Sequence, residues 1–285
     1  MAQRIAGVYV ANVTPFAASG AIDQPAYLRH VEWLQDRGVS GIVPFGTNGE
    51  GPSVTLAEKR KVLEHLFARA PTIQVLPAVM QGNLPDTLQL VRAVSEFPAA
   101  AVLVLPPYYF KPVTAEGLRA FLEPVLEVST HPLILYHIPK YAVPIPSDLV
   151  GALAVWGVKD SGGEAGYAET ILRQGRGVLV GTEDDLWTRL RVGPSGMISA
   201  LANAIPERII EIFDLARRGD AATGEPLGAR LQQVRARTKE YASPAVLKRL
   251  AEARHGIPLG TVRPPLLPVP DEYDPTPVLR LVGLA

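Results

Sequence analysis

Short apolar runs rich in β-branched residues alternate along this chain with longer stretches whose apolar positions recur at helical spacing. The runs are GVYVANV (7–13), GIVPF (41–45), IQVLPAV (73–79), AAVLVL (100–105), PLILY (132–136), VWGVK (155–159), GVLVG (177–181) and GMISAL (196–201). They predict strands. Between the first five lie QPAYLRHVEWLQDRG (24–38), TLAEKRKVLEHLFARA (55–70), LPDTLQLVRAVSEF (84–97) and TAEGLRAFLEPVLEV (114–128). In the first of these Leu28, Val31, Trp33 and Leu34 share a helical period and Gly38 supplies the stop. Thr55 and Glu58 have the spacing of a capping box.

Eight strands, each followed by a helix, predict an α/β fold of the TIM-barrel type, a (β/α)8 barrel, because parallel neighbours need a crossover helix. A doubly wound sheet is the competing topology, but neither GxGxxG nor a Walker turn follows the first strand. The eighth helix is placed at 206–219, with further helical segments near 221–241 and 244–255. The proline-rich tail that starts at Gly256 is expected to run extended over the surface. The expected organisation is a catalytic barrel over 1–216 and a C-terminal helical extension with the tail over 217–285.

Length alone, 285 residues, would also suit two average domains; the βα period decides for one barrel. Lys+Arg and Asp+Glu are both 28, so no global field favours nucleic acid or an anionic membrane. Cysteine is absent, which removes disulfides, thiolate nucleophiles and cysteine-bound zinc, and fits a reducing compartment. The stretch MAQRIAGVYVANVTPF is interrupted by Arg4, Asn12 and Pro15 and lacks a signal-peptide core. With no apolar run near the ~18 residues of a membrane span, the expected location is the cytoplasm.

In a barrel, chemistry collects at the C-terminal ends of the strands. The sixth strand ends on Lys159 in VWGVKDSGG. Alternation places Lys159 on the face of Gly157 and Val155, toward the barrel axis, with Trp156 and Val158 toward the helices. A lysine there either reaches water along its aliphatic stem or serves a cavity that needs an amine; burial disfavours an ammonium, and only a neutral amine adds to a ketone. Tyr136 ends the neighbouring fifth strand, as core packing or as a phenol that moves protons beside that amine. GTNGEG (46–51) reads as a plain turn or as an anion-binding loop. PPYYF (106–110) offers Tyr108 and Tyr109 for a subunit contact, a substrate wall or packing. In GTEDD (181–185), Thr182 and Asp184 suit a helix start, and Glu183 or Asp184 could bind substrate hydroxyls. The five histidines form no HExxH, and His131 and His137 are not an i,i+4 pair, so no metal site is expected.

GTNGE, PPYY, YHIP and VKDSGG, in this order and spacing, resemble the dihydrodipicolinate synthase / N-acetylneuraminate lyase family over about Gly7 to Pro258. The resemblance implies a (β/α)8 barrel with C-terminal helices, usually a tetramer, that works through a lysine–pyruvate Schiff base without metal or organic cofactor. It implies Lys159 as the Schiff-base lysine and Tyr136 as the tyrosine that moves protons. Thr47 and Asn48 match the pair that receives the pyruvyl carboxylate. Thr47 would also link Tyr136 to Tyr109, which resembles a tyrosine lent across a tight dimer interface. Ile198 resembles the apolar residue lining the pyruvate pocket, and Gly181, Glu183 and Asp184 match positions that contact hydroxyls in the sugar-acid lyases. Where true dihydrodipicolinate synthases carry a serine and then an arginine that binds the aldehyde's carboxylate, this chain has Lys140 and Tyr141. The phrases GTNGE and KDSGG are similar to the branch that cleaves 4-hydroxy-2-oxoglutarate and related 2-keto-3-deoxy acids.

The expected function is therefore a Schiff-base-forming lyase, an aldolase or dehydratase, acting on a small 2-oxo acid with a pyruvate moiety. The expected assembly is a homo-oligomer, dimer or tetramer. Dihydrodipicolinate synthase itself is the first rival; a non-catalytic ligand-binding protein on the same scaffold and a metal-dependent aldolase are the others.

Overall fold

The structure is a computed structural model that describes residues 4–284. Residues 1–3 and 285, at the ends of the two expected segments, lie outside the described residues. The strands are β1 (Gly7–Val10), β2 (Gly41–Ile42), β3 (Gln74–Val75 and Ala78–Val79), β4 (Val102–Val104), β5 (Leu133–His137), β6 (Gly157–Asp160), β7 (Gly177–Val180) and β8 (Gly196–Ser199). All pair in parallel, β1 with both β2 and β8, and the ladder runs round to β4. Its two ends are the halves of β3: Gln74–Val75 bonds to β2 and Ala78–Val79 to β4. The expected third strand is interrupted at Pro77, which has no N–H to give, yet its carbonyl accepts from Leu103 at 3.0 Å. The sheet is a closed eight-stranded barrel.

Two apolar layers follow from the strand alternation. Inside the barrel pack Tyr9, Val43, Leu76, Ala78, Leu103, Ile134, Leu179 and Ile198. Outside, Val8, Val10, Ile42, Val102, Leu135, Val158 and Val178 meet the helices. Those helices are α1 (Gln24–Asp36), α2 (Leu56–Ala68), α3 (Leu84–Val94), α4 (Ala115–Val128), α5 (Ser147–Ala152), α6 (Tyr167–Arg173), α7 (Leu186–Arg191) and α8 (Pro206–Arg218). The capping box at Thr55 and Glu58 forms with both of its hydrogen bonds.

Beyond the barrel come α9 (Ala221–Arg237), α10 (Ser243–His255) and α11 (Thr276–Arg280). Helix α9 packs close on α7 because Gly224 leaves room: a Cβ there would lie 2.0 Å from the Trp187 ring. The tail departs from the expected extended run in two ways. It ends in α11, whose proline sits in the first turn, where a missing N–H costs nothing. It is also tied down, since Thr261 bridges Phe16 and Arg263 donates to Ser53 and Gly20 carbonyls. No helix among the described residues is long and apolar enough to cross a membrane.

Candidate active site

Lys159 and Tyr136 are direct register partners on β6 and β5, at the carboxyl end of the barrel. Both are 3% exposed. The Lys159 Nζ stands 4.0 Å from the centre of the Tyr136 ring. Leu179 on β7 stands beside Lys159, so the amine and the phenol enter an inner layer made largely of apolar side chains. The expected alternation holds from Gly157 onward and fails before it. Val158 does face the helices, but Val155, expected inward, packs in the outer cluster, and Trp156, expected outward, packs against the inner one. The phase breaks at Gly157, φ 155°, where a Cβ would lie 1.9 Å from Gly177 O, so only a glycine lets β6 and β7 approach.

The Tyr136 hydroxyl bonds Thr47 Oγ1 at 3.2 Å. Burial pushes this phenol up. The Lys159 charge and hydrogen bonds with Thr47, Lys159 and Ser161 push it down and prevail, so it ionises below the ordinary tyrosine value. Ser161, to which sequence reasoning gave no role, donates to Gly181 O at 2.9 Å. Its signal was present in VKDSGG, two residues beyond Lys159 on the same strand phase. Gly181 stands against the lysine stem: a Cβ there would lie 3.0 Å from Lys159 Cε and 2.1 Å from Ser161 Oγ.

Thr47 and Asn48 project from a tightly folded loop. A Cβ on Gly51 would lie 1.8 Å from Phe45 O, and Phe45 and Glu50 adopt φ of 63° and 54°. Both Thr47 and Asn48 line a cleft of about 620 Å³ above the barrel mouth, with Met80, Leu105, Tyr108, Ile138, Lys140 and Tyr141. Lys159 and Tyr136 lie below this cleft, reached through Thr47. The far wall comes from the end of α9, the turn after it and the start of α10, with Arg235, Lys239 and Ser243. Sequence reasoning missed these three. Arg235 and Lys239 are four residues apart, but nothing local says that this segment folds back over the barrel.

The remaining site expectations scatter. Ile198 sits in the inner layer opposite Tyr9, 1% exposed. Glu183 is buried, and its Oε1 accepts from Ser199 Oγ (2.6 Å), Ala200 N (2.7 Å) and Leu201 N (3.0 Å), with Arg235 3.6 Å from Oε2. That carboxylate is committed to holding the turn after β8. Asp184 pairs with Lys239 at 2.8 Å near the rim. Tyr109 is 81% exposed, edge-on to Phe110 at 5.3 Å, and within this chain it does not meet Tyr136. Its neighbour Tyr108 is the one that lines the cleft.

A closed parallel barrel that gathers an amine, a phenol and a hydroxyl under one cleft at its carboxyl end defines a barrel enzyme, and comparison with known proteins makes it a lyase. The profile of the dihydrodipicolinate synthetase family matches residues 4–280, and the chain belongs to that family. A protein of Chloroflexus aurantiacus described as an uncharacterized DapA-like lyase is 31% identical over 282 residues, spanning 93% of this chain and 92% of its own. A crystal structure of a dihydrodipicolinate synthase superposes with a TM-score of 0.90 at 28% identity, covering 99% of this chain and all of its own. A variant of the 2-keto-3-deoxygluconate aldolase of Sulfolobus solfataricus gives 0.88 at 25% identity, covering 97% and 94%.

Proposed function

We propose that this lyase makes or breaks a carbon–carbon bond in a small 2-oxo acid through an imine on Lys159. The observation that carries the reading is the buried Lys159–Tyr136 pair, 4.0 Å from Nζ to ring centre, with Thr47 bonded to the phenol. The neutral Lys159 amine adds to the C2 carbonyl, Tyr136 gives up its proton and water leaves, forming a protonated imine. In the cleavage direction the C3–C4 electrons move into that imine and give an enamine. Tyr136 takes the proton of the C4 hydroxyl as the aldehyde departs. Tyr136 then gives that proton to C3 of the enamine, and water hydrolyses the imine to release pyruvate. An imine at C2 stabilises a C3 carbanion equivalent, so this chemistry needs an amine and a proton carrier. Thr47 and Asn48 hold the carboxylate and orient the ketone, and Ile198 closes the apolar side of the pocket. Gly181, with no side chain, lets the Lys159 stem and the Ser161 hydroxyl pack against its backbone.

Tyr109 and Phe110, exposed side by side, are offered to a second copy of the chain, which makes the working unit at least a dimer. Borohydride reduction in the presence of pyruvate, followed by peptide mass mapping, tests the mechanism. The expected product is a single modification on Lys159, absent from Lys159→Ala. Modification of another lysine, or of none, overturns it.

Synthesis of a dihydrodipicolinate precursor from pyruvate and aspartate semialdehyde is the second reading, favoured by the cationic groups of Lys140, Arg235 and Lys239 around the cleft. Lysine is a point charge and does not replace a bidentate arginine. A panel of glyoxylate, glyceraldehyde and aspartate semialdehyde separates the two, and preference for the last selects the synthase.

A further inference from the structure

Helix α10 grips the loop that carries Thr47 and Asn48 at two points. Ser243, its first residue, donates to Asn48 Oδ1 at 3.1 Å. Lys248, five residues on, donates to Glu50 Oε1 at 2.8 Å, and the two side chains are 1% and 0% exposed. Glu50 Oε2 accepts from the backbone N–H of Arg263 at 2.9 Å, and Lys248 also donates to Thr261 O. Arg263 continues the grip by donating to Ser53 O at 2.7 Å, and it reaches Glu58 at the start of α2. The loop is therefore held from the C-terminal segment 243–263 along its length.

An ion pair shut away from water is a poor source of net stability, because desolvation of two charges offsets their attraction. What it supplies is geometry. Glu50 is a non-glycine residue at φ 54°, a conformation that persists only where its surroundings enforce it. The contacts on Asn48 and Glu50 bracket Gly49, where a Cβ would lie 2.9 Å from Asn12 O and whose carbonyl accepts from Thr14 Oγ1 at 2.7 Å. With α10 on one side and the segment after β1, Asn12 to Thr14, on the other, the loop has one height above the barrel.

We propose that Glu50 and Lys248, with Ser243, are positioning residues that set the Thr47–Asn48 segment at the height where it receives the substrate carboxylate. Helix α10 is then a working part of the active site rather than an appendage. This inference rests on the imine reading of Lys159.

The test uses the full chain and the variants Glu50→Gln, Lys248→Met, Lys248→Arg and Ser243→Ala. Each is measured for pyruvate dependence of borohydride trapping on Lys159, for trapping rate at saturating pyruvate, and for thermal melting. Displacing the loop is expected to raise the half-saturating pyruvate concentration by about 10- to 100-fold in Glu50→Gln and Lys248→Met. The saturated rate changes less, Lys248→Arg recovers part of the loss, and Ser243→Ala shows a smaller rise. A purely structural pair predicts lower melting temperatures with half-saturation unmoved, and that result overturns the proposal. Ser243→Ala removes one hydroxyl outside the core, so native-like saturation in it overturns the proposal even where the core variants fail to fold. Native trapping with unmoved variants removes this inference alone, whereas no trapping in the native chain removes the imine reading and takes this inference with it.

Discussion

A methyl group added to Gly181 has no free space to enter. Its Cβ would lie 2.1 Å from Ser161 Oγ, 3.0 Å from Asp160 O and 3.0 Å from Lys159 Cε. The Asp160 carbonyl is fixed, since it accepts from Gly181 N at 2.7 Å in the ladder between β6 and β7. Relief must come from the Ser161 hydroxyl and the lysine stem. Overpacking of this kind costs about 1–3 kcal/mol of stability. For a chain of this size each kcal/mol lowers Tm by about 2–4 °C. Displacing the amine by about 1 Å costs on the order of 100-fold in rate, equivalent to about 2.7 kcal/mol on the barrier. Gly181→Ala is therefore expected to lose more activity than stability, read by calorimetry beside the rate of pyruvate trapping. Adding Ser161→Ala removes the 2.1 Å contact but not the one with Lys159, so the double variant regains Tm and not rate, a non-additivity expected of touching residues. Gly181→Ala that traps pyruvate at the native rate would show that the lysine stem does not run past this glycine, and would refute the argument.

Three further predictions concern protons. Tyr136→Phe is expected to lower turnover by about 10²- to 10⁴-fold without loss of fold. Because the Tyr136 phenol ionises below its ordinary value partly through Thr47, Thr47→Val should move the rising limb of the pH–rate profile to higher pH; a stationary limb counts against the phenol as base. His30 is fully buried, with Nδ1 3.1 Å from His255 Nε2 and Nε2 3.1 Å from Asn203 Oδ1, while Ile257 N donates to His255 Nδ1 at 3.0 Å. One neutral tautomer of each ring satisfies every donor in that row. Burial holds His30 down to about 4 against 6.5 in the free side chain. The unfolded chain takes the proton first, so this stability is complete above about pH 6.5 and is lost as pH falls toward about 4. Melting curves across that window should show a slope, to which His255, held down to about 3 chiefly by burial, also contributes, and His30→Gln should lessen it; an equally steep slope in the variant excludes His30 as a source.

Local readings held where the physics is local. The period of apolar runs predicted eight strands and the barrel, because a parallel ladder demands its crossovers. The capping box at Thr55 formed as its spacing required. The strand break at Pro77 follows from proline's missing donor, although it was not anticipated. Trp156 shows the limit of alternation: strict period 2 put it outside, and a glycine at an unusual φ put it inside. Glu183 shows another limit. GTEDD displays three acids alike, and only the position of the turn after β8 determines that Glu183 is consumed by three donors while Asp184 pairs with Lys239.

The chain's own pattern settled the barrel, the inward lysine and its tyrosine neighbour one βα unit earlier, because strand spacing and side-chain alternation act over a few residues. Tertiary structure alone decided what stands over that pair. Arg235, Lys239 and Ser243 reach the cleft because α9 packs on α7 at Gly224 and α10 pairs Lys248 with Glu50, 198 positions away. Contacts across such separations come from how whole helices close-pack, and no local residue pattern encodes their partner.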